Sequence, residues 1–137
     1  MTKKIFLADD DRDDWFIIED AMNEAHTPGM IEFFVNGEQL IRKLETTYST
    51  GLLPCLIVLD LNMPKLNGTE TLGMIKSDPR FSAIPVVIYS TSINAFEKRK
   101  CMELGAQDYI IKPTTGNESM EIAKFLYSLC REVPARG

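Results

Sequence analysis

An α/β chain of the (βα)5 kind is what this sequence predicts: a doubly wound, five-stranded parallel sheet with five helices on its two faces. Three observations carry that expectation. Five short apolar runs, mostly β-branched or aromatic, have the character of strands buried on both faces. Apolar residues at helical spacing separate them, so β and α patterns alternate from end to end. Three of the runs stop abruptly at charge: Ile5-Phe6-Leu7-Ala8 meets Asp9-Asp10-Asp11-Arg12-Asp13-Asp14, Leu56-Ile57-Val58-Leu59 meets Asp60, and Tyr109-Ile110-Ile111 meets Lys112-Pro113. In an open parallel sheet the strand C-termini share one edge, and ligands bind there.

The first strand is placed at Ile5–Ala8. Trp15, Ile18, Met22 and Ala25 follow at helical spacing, with Ile17 and Ala21 widening the stripe, and His26-Thr27-Pro28-Gly29 stops that helix. Ile31–Val35 is the second strand, and Asn36-Gly37 opens a helix with Leu40, Ile41 and Leu44 on its inner face. Cys55–Leu59 is the third strand. Gly68 precedes a third helix, which uses Leu72 and Ile75 and ends at Ser77-Asp78-Pro79. Pro85–Tyr89 is the fourth strand, followed by a helix from about Asn94 to Leu104 with Gly105 as its C′ residue. After the fifth strand, Tyr109–Ile111, the last helix starts near Asn117 as N-cap and carries Ile122, Phe125, Leu126 and Leu129 as its stripe. These elements use nearly the whole chain. Residues 1–137 therefore form one expected domain with a core of about 3–131, a frayed tail at Val133–Gly137 and no second domain.

A chain of 137 residues can bury a self-sufficient core. Its net charge of -5 argues against a nucleic-acid footprint and against an anionic membrane surface. The apolar run after Lys3-Lys4 ends at Ala8, too short for a signal peptide, and no run is long enough to cross a bilayer. Cys55, Cys101 and Cys130 lie in or beside apolar segments without metal-ligand spacing. They are expected as buried free thiols, and the compartment as a reducing cytoplasm.

Asp9, Asp10 and Asp60 all fall at strand ends. Packed together, their carboxylates would repel, and a hard divalent cation relieves that. Mg²⁺ takes octahedral oxygen ligands, typically one or two carboxylates with waters and phosphate oxygens. A lone Asp60 would read as a capping or loop residue, but the other strand ends favour a site. It leads into Leu61-Asn62-Met63-Pro64-Lys65-Leu66-Asn67-Gly68, an ordered turn before the next helix. Asp11, Asp13 and Asp14 read instead as a solvated acidic cap on the first helix. Lys112 is placed to pair with Asp60 and to hold a phosphoryl oxygen, and the hydroxyl of Ser90, ending the fourth strand, can donate to the same group.

Other chemistries fit poorly. Asp9, Asp11 and Asp13 match the alternating start of a calcium-binding EF-hand loop, but Asp14 replaces the required Gly and Asp20 the closing Glu. His26 is the only histidine and sits at a helix end, which disfavours Ser-His or Cys-His nucleophile pairs. No Gly-rich phosphate loop follows the first strand.

Asp9-Asp10 after strand one, Leu59-Asp60-Leu61-Asn62-Met63-Pro64 with Gly68 after strand three, Ser90 after strand four and Lys112-Pro113 after strand five resemble the motif set of response-regulator receiver domains of two-component signalling. The resemblance covers roughly Lys3 to Arg131. It implies a flavodoxin-like fold similar to the bacterial chemotaxis regulator, and a phosphoacceptor signalling domain rather than a conventional enzyme. It also implies Asp60 as phosphoacceptor, Asp10 as a direct Mg²⁺ ligand, Asp9 acting largely through water, and the Asn62 backbone carbonyl completing the protein's share of the metal shell. Mn²⁺ would serve as well. Ser90 becomes the switch hydroxyl, Lys112 the phosphoryl-binding cation and Tyr109 the aromatic switch. Asn62 and Ser92 match positions that flank the path of the water attacking the phosphoryl group, so they would tune its lifetime. The donor implied is a sensor histidine kinase or a histidine phosphotransfer protein, with an unidentified downstream protein and a homodimer left open. Thr114 stands where the family usually has an apolar residue. The long Ser77–Ile84 connection and the acidic first loop are similar to single-domain regulators paired with phytochrome-type kinases.

Three other functions share parts of this pattern. A phosphorelay shuttle would use the same site without a switch. A haloacid-dehalogenase-like phosphatase also uses a strand-end Asp with Mg²⁺, but needs a second Asp where Asn62 stands. A small flavin-binding protein of the same fold class would need a Ser-, Thr- or Gly-rich loop where Asp9–Asp14 lie.

Overall fold

The structure, a computed structural model, describes residues 4–26 and 30–131. The tail at Val133–Gly137 and the Thr27-Pro28-Gly29 stop lie outside the described residues. All five strands and five helices form in the expected alternation. β1 (Ile5–Ala8), β3 (Leu56–Leu59) and β4 (Val86–Ser90) are buried throughout, which only continuous apolar runs allow. β2 (Ile31–Phe34) and β5 (Asp108–Ile111) are partly exposed because they are the edges. The sheet order is β2-β1-β3-β4-β5, every neighbouring pair parallel. That is the flavodoxin-like order, in which the winding reverses between β1 and β3 and opens a crevice at their C-terminal ends.

The helices are α1 (Arg12–Glu24), α2 (Gly37–Thr50), α3 (Gly68–Ser77), α4 (Ala95–Glu103) and α5 (Gly116–Arg131). Strand periodicity of two sorts the core into two layers. Ile5, Leu7, Val58 and Tyr89 pack with Ile18 and Met22 of α1 and with Ala123 and Leu126 of α5. Phe6, Ala8, Ile57 and Leu59 pack with Leu40 and Leu44 of α2, Leu72 and Ile75 of α3, and Cys101 of α4. Caps set the helix starts. Asn36 accepts from the Gln39 amide, Asn94 from those of Phe96 and Glu97, and Asn67 shares a reciprocal capping box with Glu70. Gly105, with φ 108°, takes the left-handed conformation expected after α4.

Three expectations are corrected. α5 starts at Gly116, not at Asn117, because Thr115 is the cap: its Oγ1 accepts from the Glu118 amide at 3.1 Å and Glu118 Oε1 accepts from the Thr115 amide at 3.2 Å. Thr114 adds its amide and hydroxyl to the same Glu118 oxygen, so the polar stretch after Pro113 anchors the helix start. The buried stripes also rotate: Phe125 and Ile17 face outward at 36% and 43% exposure, while Ala123 and Cys130 turn in. Finally, Cys55 and Cys130 are not free thiols but a disulfide, with Cα atoms 5.2 Å apart. Cys55 precedes β3 in the layer that α5 covers, and Cys130 lies in the last turn of α5, so packing brings them together. Cys101 is a buried free thiol as expected.

Candidate functional site

Parallel pairing puts the two strand-end carboxylates side by side. Ala8 and Leu59 are register partners, the Asp60 amide donates to the Ala8 carbonyl at 3.0 Å, and the Asp9 amide donates to that of Phe34 at 2.9 Å. The next residue in each chain is therefore the acid. On the other side of the crevice the Lys112 amide donates to the Ser90 carbonyl at 2.8 Å, which carries the β4–β5 pairing one residue past the strand.

Asp9 is fully buried. Its Oδ1 accepts from the Asp11 amide at 2.9 Å, and its backbone carbonyl accepts from the Trp15 indole at 2.7 Å. Its Oδ2 faces the Lys112 ammonium at 2.9 Å. Asp60 is 6% exposed, and its Oδ1 has only a long contact, 3.5 Å, from the Asn62 amide. Asp10 is exposed and closes the open side. One carboxylate oxygen from each of Asp9, Asp10 and Asp60 falls within 4.8 Å of the others. Three carboxylates gathered at one edge, one of them fully buried, suit a hard divalent cation, which would neutralise their mutual repulsion.

Lys112, 9% exposed, reaches three carboxylates: Asp14 at 2.6 Å, Asp9 at 2.9 Å and Asp60 at 3.4 Å. The Tyr89 ring lies 5.6 Å from its Nζ. Burial pushes the Asp9 carboxyl up to about 7, against the opposing pull of Lys112. Burial raises Asp60 as well, again opposed by Lys112. For Lys112, burial works downward, but hydrogen bonds with Asp14 and Asp9 outweigh it and leave the ammonium above its ordinary range.

The β4 end carries a second network. Ser90 is fully buried, and its Oγ accepts from the Ser92 amide at 3.1 Å. Ser92 Oγ donates to Glu97 at 2.7 Å. The Tyr109 hydroxyl donates to the Ser92 carbonyl at 2.8 Å, and its ring is packed inward at 7% exposure. The turn after Asp60 is gripped by α3. A Cβ on Gly68 would overlap the Asp60 carbonyl oxygen and lie 2.8 Å from Leu61 Cα, so only glycine lets the helix start approach so closely.

Asp14 is a further correction. Expected in a solvated cap, it is half-buried against Lys112. A helical signal for this exists: Asp14, Ile18 and Ala21 stand at i, i+4 and i+7, and the latter two are buried. Asp11 does cap α1, accepting from the Asp13 amide at 2.9 Å.

A buried strand-end acid pair facing a lysine, at the switch point of this sheet order, defines a receiver-type phosphoacceptor site. The chain belongs to the response regulator receiver domain family, which it matches over residues 5–124. It is similar to the phosphorylated cyanobacterial phytochrome response regulator RcpA, with TM-score 0.84 and 33% identity over 98% of each chain. It is also similar to the Mn(2+)-bound form of the response regulator Rcp1, with TM-score 0.81 and 26% identity over 99% of each chain. The probable methanogenesis regulatory protein FilR2 of Methanothrix harundinacea is 33% identical over 110 residues, 80% of this chain and 71% of that protein. Against larger curated relatives the chain spans only about a third of their length, 36% in one case and 29% in another. The chain is a phosphoacceptor receiver domain rather than a conventional enzyme, and its acidic cluster can coordinate a divalent metal. Among the described residues, no helix is long and apolar enough to cross a membrane.

Proposed function

We propose that Asp60 is the phosphoacceptor of this receiver domain. The observation that supports it best is Lys112, whose ammonium lies 3.4 Å from Asp60 and 2.9 Å from Asp9 at the shared strand edge. An Asp60 oxygen attacks the phosphorus of the donor, a P–O bond forms, and the bond to the donor's imidazole nitrogen breaks with the electron pair leaving on that nitrogen. The metal, Mg²⁺ or Mn²⁺, would neutralise charge on the transferring group. Asp10 and Asp60 would hold it directly, with Asp9 through water and the Asn62 carbonyl as a further ligand. Lys112 and Ser90 take phosphoryl oxygens by donating N–H and O–H groups. The movement of Ser90 then draws on Tyr109 through the Ser92 carbonyl, which couples the site to the surface around α4.

The donor is a sensor histidine kinase or histidine phosphotransfer protein, and a cytoplasmic location goes with that partner. Similarity to RcpA supports a phytochrome-type kinase in particular. Asn62 and Ser92 are polar and of modest size, so attacking water has a path and phosphate leaves without a dedicated phosphatase.

Treatment with acetyl phosphate and Mg²⁺, followed by mass-spectrometric mapping, is expected to place one phosphoryl group on Asp60. Asp60→Asn abolishes the adduct. Labelling of that variant at the wild-type level would sink the assignment.

A further inference from the structure

We propose that Asp14 is a positioning residue that competes with a phosphoryl group for Lys112. This rests on the roles given above to Asp60 and Lys112. Three observations point to it. Of the three carboxylates around the ammonium, Asp14 is the nearest, at 2.6 Å against 2.9 Å for Asp9 and 3.4 Å for Asp60. Lys112 donates a hydrogen bond to Asp14, whereas it meets Asp9 Oδ2 as an ion pair at 2.9 Å and Asp60 only at 3.4 Å. The side chains of Lys112 and Asp14 are 9% and 22% exposed, so water screens the pair only in part.

Asp14 also stands outside the metal cluster of Asp9, Asp10 and Asp60. A cation bound there draws on the other two neighbours of Lys112 and leaves Asp14 untouched. The ammonium is a compact charge on a flexible stem, with three N–H donors to distribute. Asp14 is less mobile: it sits in the first turn of α1, one turn before the buried Ile18. A phosphoryl group on Asp60 therefore recruits Lys112 against a fixed competitor. Asp14 keeps the lysine ordered before phosphorylation and weakens its grip on the phosphoryl group afterwards.

Calorimetric titration with beryllofluoride at fixed Mg²⁺, an acyl-phosphate mimic at Asp60, tests this in the full chain. Asp14→Asn should bind the mimic roughly threefold to tenfold more tightly than wild type. Asp14→Glu, which keeps the charge, should stay within about twofold of wild type. Asp13→Asn removes a neighbouring exposed charge and should also leave the affinity near wild type. Lysine side-chain ¹⁵N NMR adds a direct signature. The Lys112 ammonium resonance should lose its protection from solvent exchange in Asp14→Asn and regain it in Asp14→Glu. Should the Asn variant fail to fold, Asp14→Ser carries the same expectation. An unchanged Lys112 resonance in the neutral variant, or the same gain in affinity from Asp13→Asn, overturns the proposal. Absence of mimic binding by the wild type overturns instead the reading of Asp60, and the proposal with it.

Discussion

Asp9 is the residue on which the site's charge balance turns. Its folded pKa of about 7 lies well above the ordinary 3.8, because burial disfavours the anion more than Lys112 favours it. Without metal, the folded protein holds this proton more tightly than the unfolded chain does. The associated stability is full at low pH and is lost as pH rises from about 4 through about 7. A divalent cation needs the ionised carboxylates and reverses the penalty. Mg²⁺ should therefore raise the melting temperature little at pH 5 and clearly more at pH 8, as followed by thermal denaturation with and without the ion. An equal rise at both values would separate metal binding from Asp9.

At the scale of elements, the start of α3 decides the shape of the turn after Asp60. Its capping box holds the first turn, and Gly68 lets that turn rest on the Asp60 and Leu61 backbone. Gly68→Ala places a methyl where the Asp60 carbonyl lies, and the neighbour is backbone that cannot swing aside. The expected cost is about 1–3 kcal/mol of stability, read from the urea midpoint. An unchanged midpoint would mean that α3 slides without strain. The sequence signals were uneven here. Asn36 and Asn94 marked helix starts and turn out to be the caps, whereas Thr115-Gly116-Asn117-Glu118 carried a Thr-x-x-Glu box that the more obvious Asn117 concealed.

For the whole molecule, the Cys55–Cys130 disulfide ties the start of β3 to the end of α5 across a sequence separation of 75. Closing a loop of that length removes unfolded-state entropy worth about 4–5 kcal/mol, of which about 2–4 kcal/mol typically survives as net stability. Full reduction, or Cys130→Ser, should lower Tm by roughly 6–15 °C, measured by calorimetry in parallel with the oxidised protein. Identical Tm values would show that packing of α5 alone holds the sheet. The bond also removes two of the three thiols from which a reducing compartment was inferred.

Local pattern alone determined the five strands, the five helices and the placement of Asp9, Asp10, Asp60 and Lys112 at strand ends. A buried strand needs a continuous apolar run, and the point where that run breaks marks the sheet edge. Tertiary structure alone decided which groups meet there. Asp14 finds Lys112 across 98 residues, and Cys55 finds Cys130 across 75. Both contacts depend on how α1 and α5 are rotated about their axes over one face of the sheet. Spacing can suggest that rotation, as Ile18 and Ala21 do for Asp14, but packing against the β1–β3–β4 layer sets it. Gly68 shows the same division: its place in the turn is legible as a sequence signal, while the close approach that demands a hydrogen for a side chain exists only once α3 lies against Asp60.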